Sequence, residues 1–425
     1  MMTILSWVGA LLEVETPNEQ HPIHVLFVHA NSDLYGASRS MARLVGELSG
    51  GPFRFSVVLP DDGPLVDLLR QENASVYIMR NLSVVRRRIV KTWRLFLFLS
   101  NVIPSTVRLW QMIHRLKVDA VHLNTSVTPA AAIAAKLAGV GIIWHIREIY
   151  SGELSLLRKL YHSFILCIAD LVVCVSTPVR QQFPPGANKV QVHHNGLEIG
   201  CFDAIVPDDD AIRQRFNIPK KATVVAMFSR IHPWKGQDLF VETAALLRKR
   251  LANTYFLIVG DVFPGYESVE ASIKERITAL GMGDRIFLTG FLREPRPLMA
   301  SVSVVVLPST QPDPFPGVVI EAMALSRPVV ATGIGGPTEQ VVHGATGYLV
   351  APDATELSNA IERLVRSPEL RASFGRAARQ RITDHFSLPE LSSNLAVAYQ
   401  RLAARRTCEE KPSYGEQGQA PATRP

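Results

Sequence analysis

Two carboxylates in the segment from 308 to 331 form the first candidate site. Asp313 and Glu321 stand eight positions apart, and the loop between them is interrupted by Pro314, Pro316 and Gly317, which cannot continue a helix from it. A helix is predicted over residues 318–325, with its first backbone amides facing a cavity at the carboxyl ends of the strands. Asp313 could accept hydrogen bonds from sugar hydroxyls, and Glu321 offers two acceptor oxygens to the vicinal hydroxyls of a ribose.

Each carboxylate alone has a simpler interpretation. Asp313 could cap a helix, and Glu321 could be a surface glutamate. The combination of both with the prolines, the glycine and a new helix favours a binding site.

Two cations occupy a loop earlier in the chain. Arg230 and Lys235 belong to Phe-Ser-Arg-Ile-His-Pro-Trp-Lys-Gly, which follows a predicted strand at 224–228 and precedes a helix. Two fixed positive charges beside a diphosphate neutralise the charge that grows on a leaving group, a task otherwise given to a metal ion. A single Lys or Arg in a loop is more often only solvated, but the position between strand and helix favours a role in binding.

Glycines and a histidine supply the remaining candidates. Gly335 and Gly336 follow a predicted strand at 328–331, where their small size lets the backbone approach a phosphate. Gly36 lies at the bend between the first strand and its helix, and His145 ends a predicted strand at 141–145. That strand end should face the cleft. A bare glycine turn and a structural histidine are the alternatives when each is taken alone.

The elements that must position these residues alternate between strand and helix. Strands are predicted at 24–29, 55–59, 120–123, 141–145, 171–175, 189–193, 224–228, 255–259, 285–288, 302–307, 328–331 and 347–350. The apolar pattern is interrupted at 202–219, so the chain should form two successive doubly wound sheets. The expected organisation is an extension (1–20), a first α/β domain (21–205), a second (206–385), a helix crossing back to the first (386–406) and a disordered tail (407–425).

The order of the motifs resembles that of the retaining glycosyltransferases of family four, the group 1 glycosyltransferases. Residues 313–321 resemble the family's Glu-x7-Glu motif, with Asp313 in place of the first glutamate. Residues 229–236 resemble its Gly-Arg-x4-Lys-Gly segment, with Ser229 in place of the glycine. The resemblance implies that Arg230 and Lys235 clamp a diphosphate and that Glu321 holds the ribose.

The same resemblance extends to the glycines and the histidine. It implies contacts to the donor from Gly335, Gly336 and Gly317, a loop at Gly36 that closes over the sugar and phosphates, and a sugar contact from His145. The implied fold is GT-B, two Rossmann-like domains facing across a cleft. The implied reaction uses a nucleotide diphosphate sugar as co-substrate, needs no metal or other cofactor, and glycosylates a glycan or lipid-linked acceptor that enters from the first domain.

Composition limits the other function classes. The chain has 425 residues and a formal net charge of +7, which suits anionic partners but is too diffuse to indicate nucleic acid. Its 4 cysteines lack Cys-x-x-C spacing, which argues against zinc and for a reducing compartment. No Gly-x-Gly-x-x-Gly follows the first strand and no P-loop occurs, which disfavours oxidoreductases and ATPases. A non-catalytic nucleotide-sugar-binding protein and a nucleotide-sugar epimerase stay open as alternatives.

A basic, aromatic segment at 84–116 departs from the α/β rhythm. Its apolar part, 95–103, is much shorter than the roughly 20 residues needed to cross a bilayer. The segment could lie in a membrane interface, or it could be a pair of domain helices with buried apolar faces. The expected location is cytoplasmic, and the first of these two alternatives adds peripheral contact at the membrane face.

Overall fold

The computed structural model describes residues 21–85, 94–150, 155–263 and 265–409. The predicted extension at 1–20 and most of the predicted tail therefore lie outside the described residues. So does the basic part of the 84–116 segment, residues 86–93.

The first half of the chain forms a parallel sheet with helices between its strands. The strands are β1 Ile23–Val28, β2 Phe53–Leu59, β3 Ser75–Ile78, β4 Ala120–Leu123, β5 Gly141–Ile146, β6 Leu171–Cys174 and β7 Val190–Val192. The helices are α1 Gly36–Leu48, α2 Pro64–Gln71, α3 Arg94–Leu116, α4 Pro129–Leu137, α5 Ser155–Ile168, α6 Thr177–Arg180 and α7 Gly200–Asp203. The strand order is β3-β2-β1-β4-β5-β6-β7, so the direction of winding reverses between β1 and β4.

The second half repeats this architecture. Its strands are β8 Thr223–Phe228, β9 Thr254–Val259, β10 Ile286–Gly290, β11 Val304–Leu307, β12 Val329–Thr332 and β13 Gly347–Val350, in the order β10-β9-β8-β11-β12-β13. Its helices are α8 Asp210–Arg215, α9 Gln237–Leu247, α10 Glu267–Ala279, α11 Arg296–Ser301, α12 Gly317–Ala324, α13 Pro337–Gln340, α14 Ala354–Arg366, α15 Pro368–His385 and α16 Leu388–Glu409. The expectation of two doubly wound sheets is confirmed.

Burial explains why the strands could be found in the sequence. The four residues of β11 are all buried, and so are the last five of β1. Parallel strands covered by helices on both faces appear in a sequence as short continuous apolar runs. The predicted strands agree with the structure to within about two residues at each end. The exception is β3, which was not predicted because this four-residue edge strand has no buried residue.

The last helix, α16, packs against the first sheet although it follows the second in sequence. Tyr399 is fully buried there, and its hydroxyl lies 2.7 Å from Nδ1 of His122 on β4. Leu402 covers Gly141 so closely that a Cβ added at Gly141 would lie 2.7 Å from the leucine Cβ. The two halves are therefore linked twice, by the chain connection at 202–219 and by the packing of α16 against the first sheet.

The described part of the 84–116 segment is one long helix, α3, with Pro104 inside it. Leu109 and Ile113 are buried against the domain, whereas Ile103, Val107 and Trp110 are exposed. Among the described residues, no helix has the length and apolar character that crossing a membrane requires.

Candidate functional site

Lys235 and Asp313 meet at the carboxyl edge of the second sheet. Lys235 ends a short 3-10 turn, Pro233–Lys235, after β8, and its Nζ donates a hydrogen bond to Oδ2 of Asp313. Gly236, which follows, has φ 78°, and a Cβ there would lie 1.8 Å from the Pro308 carbonyl oxygen. Only glycine fits this position, and it directs the lysine toward the acidic loop. The two side chains are 17% and 12% exposed, so the ion pair is well shielded from water.

The glycine turn after β12 supports the Asp313 loop. The Gly336 amide donates to the Asp313 carbonyl oxygen at 2.7 Å. A Cβ at Gly335 would lie 2.5 Å from that oxygen, and a Cβ at Gly336 would lie 2.3 Å from the Pro314 carbonyl oxygen. Close packing against the acidic loop therefore requires both glycines, whatever they contribute to a ligand.

Gly36 and Gly317 differ from that pair. They begin α1 and α12, and a Cβ added at either position would meet no atom within 4 Å. Internal packing gives no reason for glycine there. A missing side chain at a helix N-terminus leaves the first amides open to an anionic or polar ligand.

Arg230 is held between two aromatic rings. Its guanidinium carbon lies 4.2 Å from the ring centre of Tyr35 in the first domain and 4.6 Å from that of Phe263 in the second. Gln237, which is buried, donates to the Arg230 carbonyl oxygen at 2.8 Å and fixes the loop. Burial raises the pKa of Tyr35, and the arginine charge opposes that rise. Stacking orients the guanidinium, and no other described residue takes a hydrogen bond from its N–H edge, which can therefore bind an anion.

Glu321 contacts the first domain directly. Its Oε1 accepts a hydrogen bond from Nη2 of Arg43 on α1 at 2.6 Å. Tyr35 immediately precedes α1 and Arg43 lies eight residues further along, about 12 Å at the helical rise. Arg230 and Glu321 thus both face α1, and the predicted site of the second domain lies opposite this helix.

Other contacts fasten the two domains beside the site. Oγ of Ser176 donates to the Pro314 carbonyl oxygen at 2.6 Å. Glu339 accepts hydrogen bonds at 2.8 Å from the Thr177 amide and from Nε2 of His194. Burial raises the pKa of Glu339, but these hydrogen bonds outweigh it, so that the pKa falls below its usual value.

His145 lies inside the first domain, not on an open cleft surface as its position at a strand end had indicated. Its ring has no exposed area, and Nδ1 is 3.2 Å from Nε2 of His122. Burial, followed by the charge of Arg147, lowers its pKa well below the usual value, so the ring is neutral. The reason is that β5 is covered on both faces, so even its terminal side chains are enclosed.

Arg147, two residues after His145, belongs to the same cluster, with its Nη2 3.4 Å from Nδ1 of His145. It donates to Oδ1 of Asn195 at 2.7 Å and to Oδ1 of Asn124 at 2.9 Å. Burial lowers its pKa to about 10, which leaves the guanidinium charged at neutral pH. No role was predicted for Arg147 from the sequence.

Tyr35 and Arg43 were missed by the sequence analysis. Their only signal is position, since both flank or belong to the helix that follows the Gly36 bend. Nothing in their residue types indicates that they meet Arg230 and Glu321 from the other domain.

A metal site was not predicted, and the acidic residues of the linker have local partners. Asp209 pairs with Arg213 at 2.6 Å, and Asp208 accepts from the Asp210 amide at 3.1 Å. In the described ranges, no group of three or more His, Cys, Asp or Glu side chains is arranged to hold a metal ion.

Comparison with known families identifies this arrangement. The model described as "Glycosyltransferase Family 4" matches residues 35–200, and the model "Glycosyl transferases group 1" matches residues 208–381. The chain belongs to this family. The two matches are separated by residues 201–207, just before α8. The group 1 match contains Arg230, Lys235, Asp313 and Glu321.

The relatives found for this family 4 chain include an alpha-D-kanosaminyltransferase from Streptomyces kanamyceticus, 32% identical over 45% of this chain and 48% of the relative. An alpha-1,3/1,6-mannosyltransferase from Homo sapiens is 30% identical over 49% of this chain and 51% of the relative. The chain thus spans about half the length of these curated relatives. The crystal structure of Anabaena Alr3699/HepE in complex with UDP-glucose is similar, with a TM-score of 0.76, 25% identity, and coverage of 89% of this chain and 100% of that one. The fold is therefore GT-B.

Proposed function

We propose that this family 4 member is a retaining, metal-independent glycosyltransferase that moves a sugar from a nucleoside diphosphate to an acceptor hydroxyl. The observation that carries the proposal is the shielded pair of Lys235 and Asp313 at the carboxyl edge of the second sheet. A cation suited to a phosphate lies beside a carboxylate suited to sugar hydroxyls, at the position where the two parts of such a donor join. The activities for which the relatives are named and the UDP-glucose complex of the structural neighbour support the same class.

Each part of the donor has a group of matching chemistry. The ribose hydroxyls bind the Glu321 carboxylate, which must first leave Arg43. The diphosphate binds the stacked Arg230 guanidinium and Lys235, with backbone amides near Gly317 and Gly336 contributing further donors. The sugar lies next to Asp313. The acceptor enters from the first domain, along the face that carries Gly36.

The reaction requires little from the protein beyond charge and position. The bond between the anomeric carbon and the phosphate oxygen breaks, and the acceptor oxygen bonds to that carbon on the same face. The acceptor proton moves to the departing phosphate oxygen, so no carboxylate base is needed. Arg230 and Lys235 stabilise the negative charge that grows on the diphosphate as its bond to the sugar weakens. Because these two cations stabilise the leaving group, the proposed reaction needs no divalent ion.

A two-step assay tests the proposal. A thermal-shift screen of uridine and guanosine diphosphate sugars identifies the donor, and chromatography of the reaction then identifies the product. Release of nucleoside diphosphate with formation of a glycoside supports the transferase, and proton coupling at the new anomeric carbon reports retention. An altered sugar still attached to the nucleotide would indicate an epimerase. Tight donor binding without turnover would indicate a non-catalytic binding protein. This alternative is motivated by Asp313, which stands where the family has a glutamate.

Metal independence has its own measurement. Activity should survive EDTA because Arg230 and Lys235 supply the positive charge. Strict dependence on Mn²⁺ or Mg²⁺ would contradict this part of the proposal.

We also propose a cytoplasmic location with peripheral membrane contact through the first domain. Ile103, Val107 and Trp110 follow helical spacing on α3 and are 72%, 45% and 37% exposed, so they form one apolar face. Leu156, Leu157 and Leu160 on α5 are exposed as well. Such an apolar face suits a bilayer surface. Co-sedimentation with phosphatidylglycerol vesicles should fall in an Ile103→Ser, Val107→Ser variant, and unchanged binding would refute the contact.

A further inference from the structure

A separate cavity of about 940 Å³ opens at the carboxyl ends of β2 and β3 in the first domain. Three guanidinium groups line it, from Arg70 after β2, Arg80 after β3 and Arg108 on α3. Two carboxylates, Asp61 and Asp62, line the same cavity. Of the segments singled out in the sequence analysis, only 84–116 contributes a lining residue, Arg108, and the donor-binding residues proposed above all lie elsewhere.

Each carboxylate accepts a hydrogen bond from a neighbouring residue, whereas two of the three guanidinium groups have no such partner among the described residues. Asp61 accepts a hydrogen bond from the Ser32 hydroxyl, and Oδ1 of Asp62 accepts from the Gly63 amide at 3.0 Å. Within the described part of the chain, the side chains of Arg80 and Arg108 make no hydrogen bond or ion pair. Arg70 has only a loose, exposed pair with its helix neighbour Asp67 at 3.8 Å. The pocket therefore offers unused guanidinium donors, which match phosphate geometry well.

The apolar part of the lining suggests what accompanies the anion. Ile78, Met79 and Leu82 belong to the same cavity, and Ile78 is 40% exposed although it ends a strand. A free inorganic ion would gain nothing from these side chains. A larger molecule that carries a phosphate could bury carbon atoms against them.

The pocket adjoins the proposed donor site through the β1–α1 loop. Ser32 in this loop bonds to Asp61 at the pocket, and Tyr35 in the same loop stacks on Arg230 at the donor site. Three residues of backbone span at most about 10 Å. Carboxyl ends of parallel strands are also where open α/β sheets bind ligands.

We infer that this pocket binds a phosphate or diphosphate group of the acceptor, through Arg80 and Arg108 with help from Arg70. The inference rests on the proposed function, since it treats the first domain as the acceptor side. It adds the chemical class of the acceptor, a phosphate-bearing molecule, either a soluble sugar phosphate or a lipid whose headgroup is a phosphate.

The test separates this pocket from the diphosphate clamp. Inorganic phosphate and glucose 1-phosphate are titrated calorimetrically into the full chain saturated with the nucleoside diphosphate of its donor, so that Arg230 and Lys235 are occupied. The variant is Arg80→Gln combined with Arg108→Gln. The matched control is Arg115→Gln, an exposed arginine on the same helix that does not line the pocket. A second arm measures co-sedimentation with phosphatidylcholine vesicles that contain or lack phosphatidic acid.

Wild type and the Arg115 variant should bind glucose 1-phosphate, and the double variant should bind it at least about tenfold more weakly. All three should keep the same nucleotide affinity and Tm, because the substituted side chains are exposed. If only the phosphatidic acid vesicles bind, and binding depends on Arg80 and Arg108, the phosphate belongs to a lipid.

Equal binding by wild type and the double variant would overturn the inference, and so would absence of phosphate binding in both arms. Failure of the proposed function gives a different result. A chain that binds no nucleoside diphosphate but binds glucose 1-phosphate through Arg80 and Arg108 would keep the pocket and lose the transferase. In that event the titration is repeated in Lys235→Ala to exclude binding at the clamp.

Discussion

Replacing Lys235 with alanine tests the centre of the proposed chemistry. The lysine is proposed to stabilise charge that develops on the diphosphate only as the bond to the sugar breaks. Removing one such preorganised donor typically lowers kcat by about 10²–10³, equivalent to about 2.7–4 kcal/mol. We expect a loss of this size in kcat measured at saturating donor, with a smaller change in KM.

The structure also predicts a stability cost that must be separated from catalysis. The Asp313 carboxylate is 12% exposed, so Lys235→Ala leaves it without its cation in a shielded position. A charge left unpaired in this way costs about 1–3 kcal/mol, more than an exposed pair would. Lys235→Arg keeps the positive charge and should recover part of both losses. Lys274→Ala, which removes a surface lysine paired with Glu270, is the matched control and should change neither quantity.

Two results would refute the reasoning about Lys235. A kcat within about threefold of wild type in a folded Lys235→Ala variant would show that the cation does not stabilise the transition state. An increase in KM alone would show that it binds ground state and transition state equally, which is not leaving-group stabilisation.

Three further predictions concern the domain contact, the glycines and pH. Arg43→Ala removes a hydrogen bond to Glu321 that is worth about 1 kcal/mol. Calorimetry should therefore show about fivefold tighter binding of the nucleoside diphosphate. Weaker binding would indicate that Arg43 contacts the ligand instead. Gly336→Ala should lower Tm because its Cβ would lie 2.3 Å from the Pro314 carbonyl oxygen. Gly36→Ala should leave Tm unchanged and raise KM for the donor or the acceptor. Equal losses of Tm in the two variants would contradict this distinction. Burial lowers the pKa of His29 to about 3, so below about pH 6.5 the unfolded chain takes up a proton that the folded chain excludes. Between pH 7.5 and 5.5, protonation of this histidine in the unfolded chain should lower the free energy of unfolding of wild type by about 1.4 kcal/mol, as measured by urea titration. In His29→Asn the fall should be smaller by this amount. The same pH dependence in both proteins would refute the prediction.

The sequence was sufficient for the two sheets because most strands are buried on both faces. In a chain that alternates strands and helices, a short apolar run such as β11 indicates a strand that is covered on both faces. The same criterion failed at β3, which lies at the sheet edge with no buried side chain. For His145, the rule about strand ends locates the backbone and not the surroundings of the side chain, so its contact with a sugar stays a prediction. That ring is enclosed beside His122, which is contacted in turn by Tyr399 of α16.

The candidate site was predictable within one domain but not across two. Lys235 and Asp313 are 78 residues apart, and the rule that loops meet at the carboxyl edge of a parallel sheet brings them together. The contact of Glu321 with Arg43 depends on how one sheet faces the other, which is determined by the interface and not by either half alone. No residue type or spacing in α1 indicates that contact.

The two ion pairs of the site have a shared consequence for donor binding. Lys235 holds Asp313, and Arg43 holds Glu321, so each carboxylate proposed to bind the donor already has a cation. A nucleotide sugar must replace these bonds, and the gain in free energy is only the difference between the new hydrogen bonds and the old ones. The first exchange occurs within the second domain, but the second breaks a bond between domains. We therefore expect donor binding to loosen the contact at α1 and allow the domains to readjust before the acceptor reacts, which couples occupancy of the ribose site to the width of the cleft.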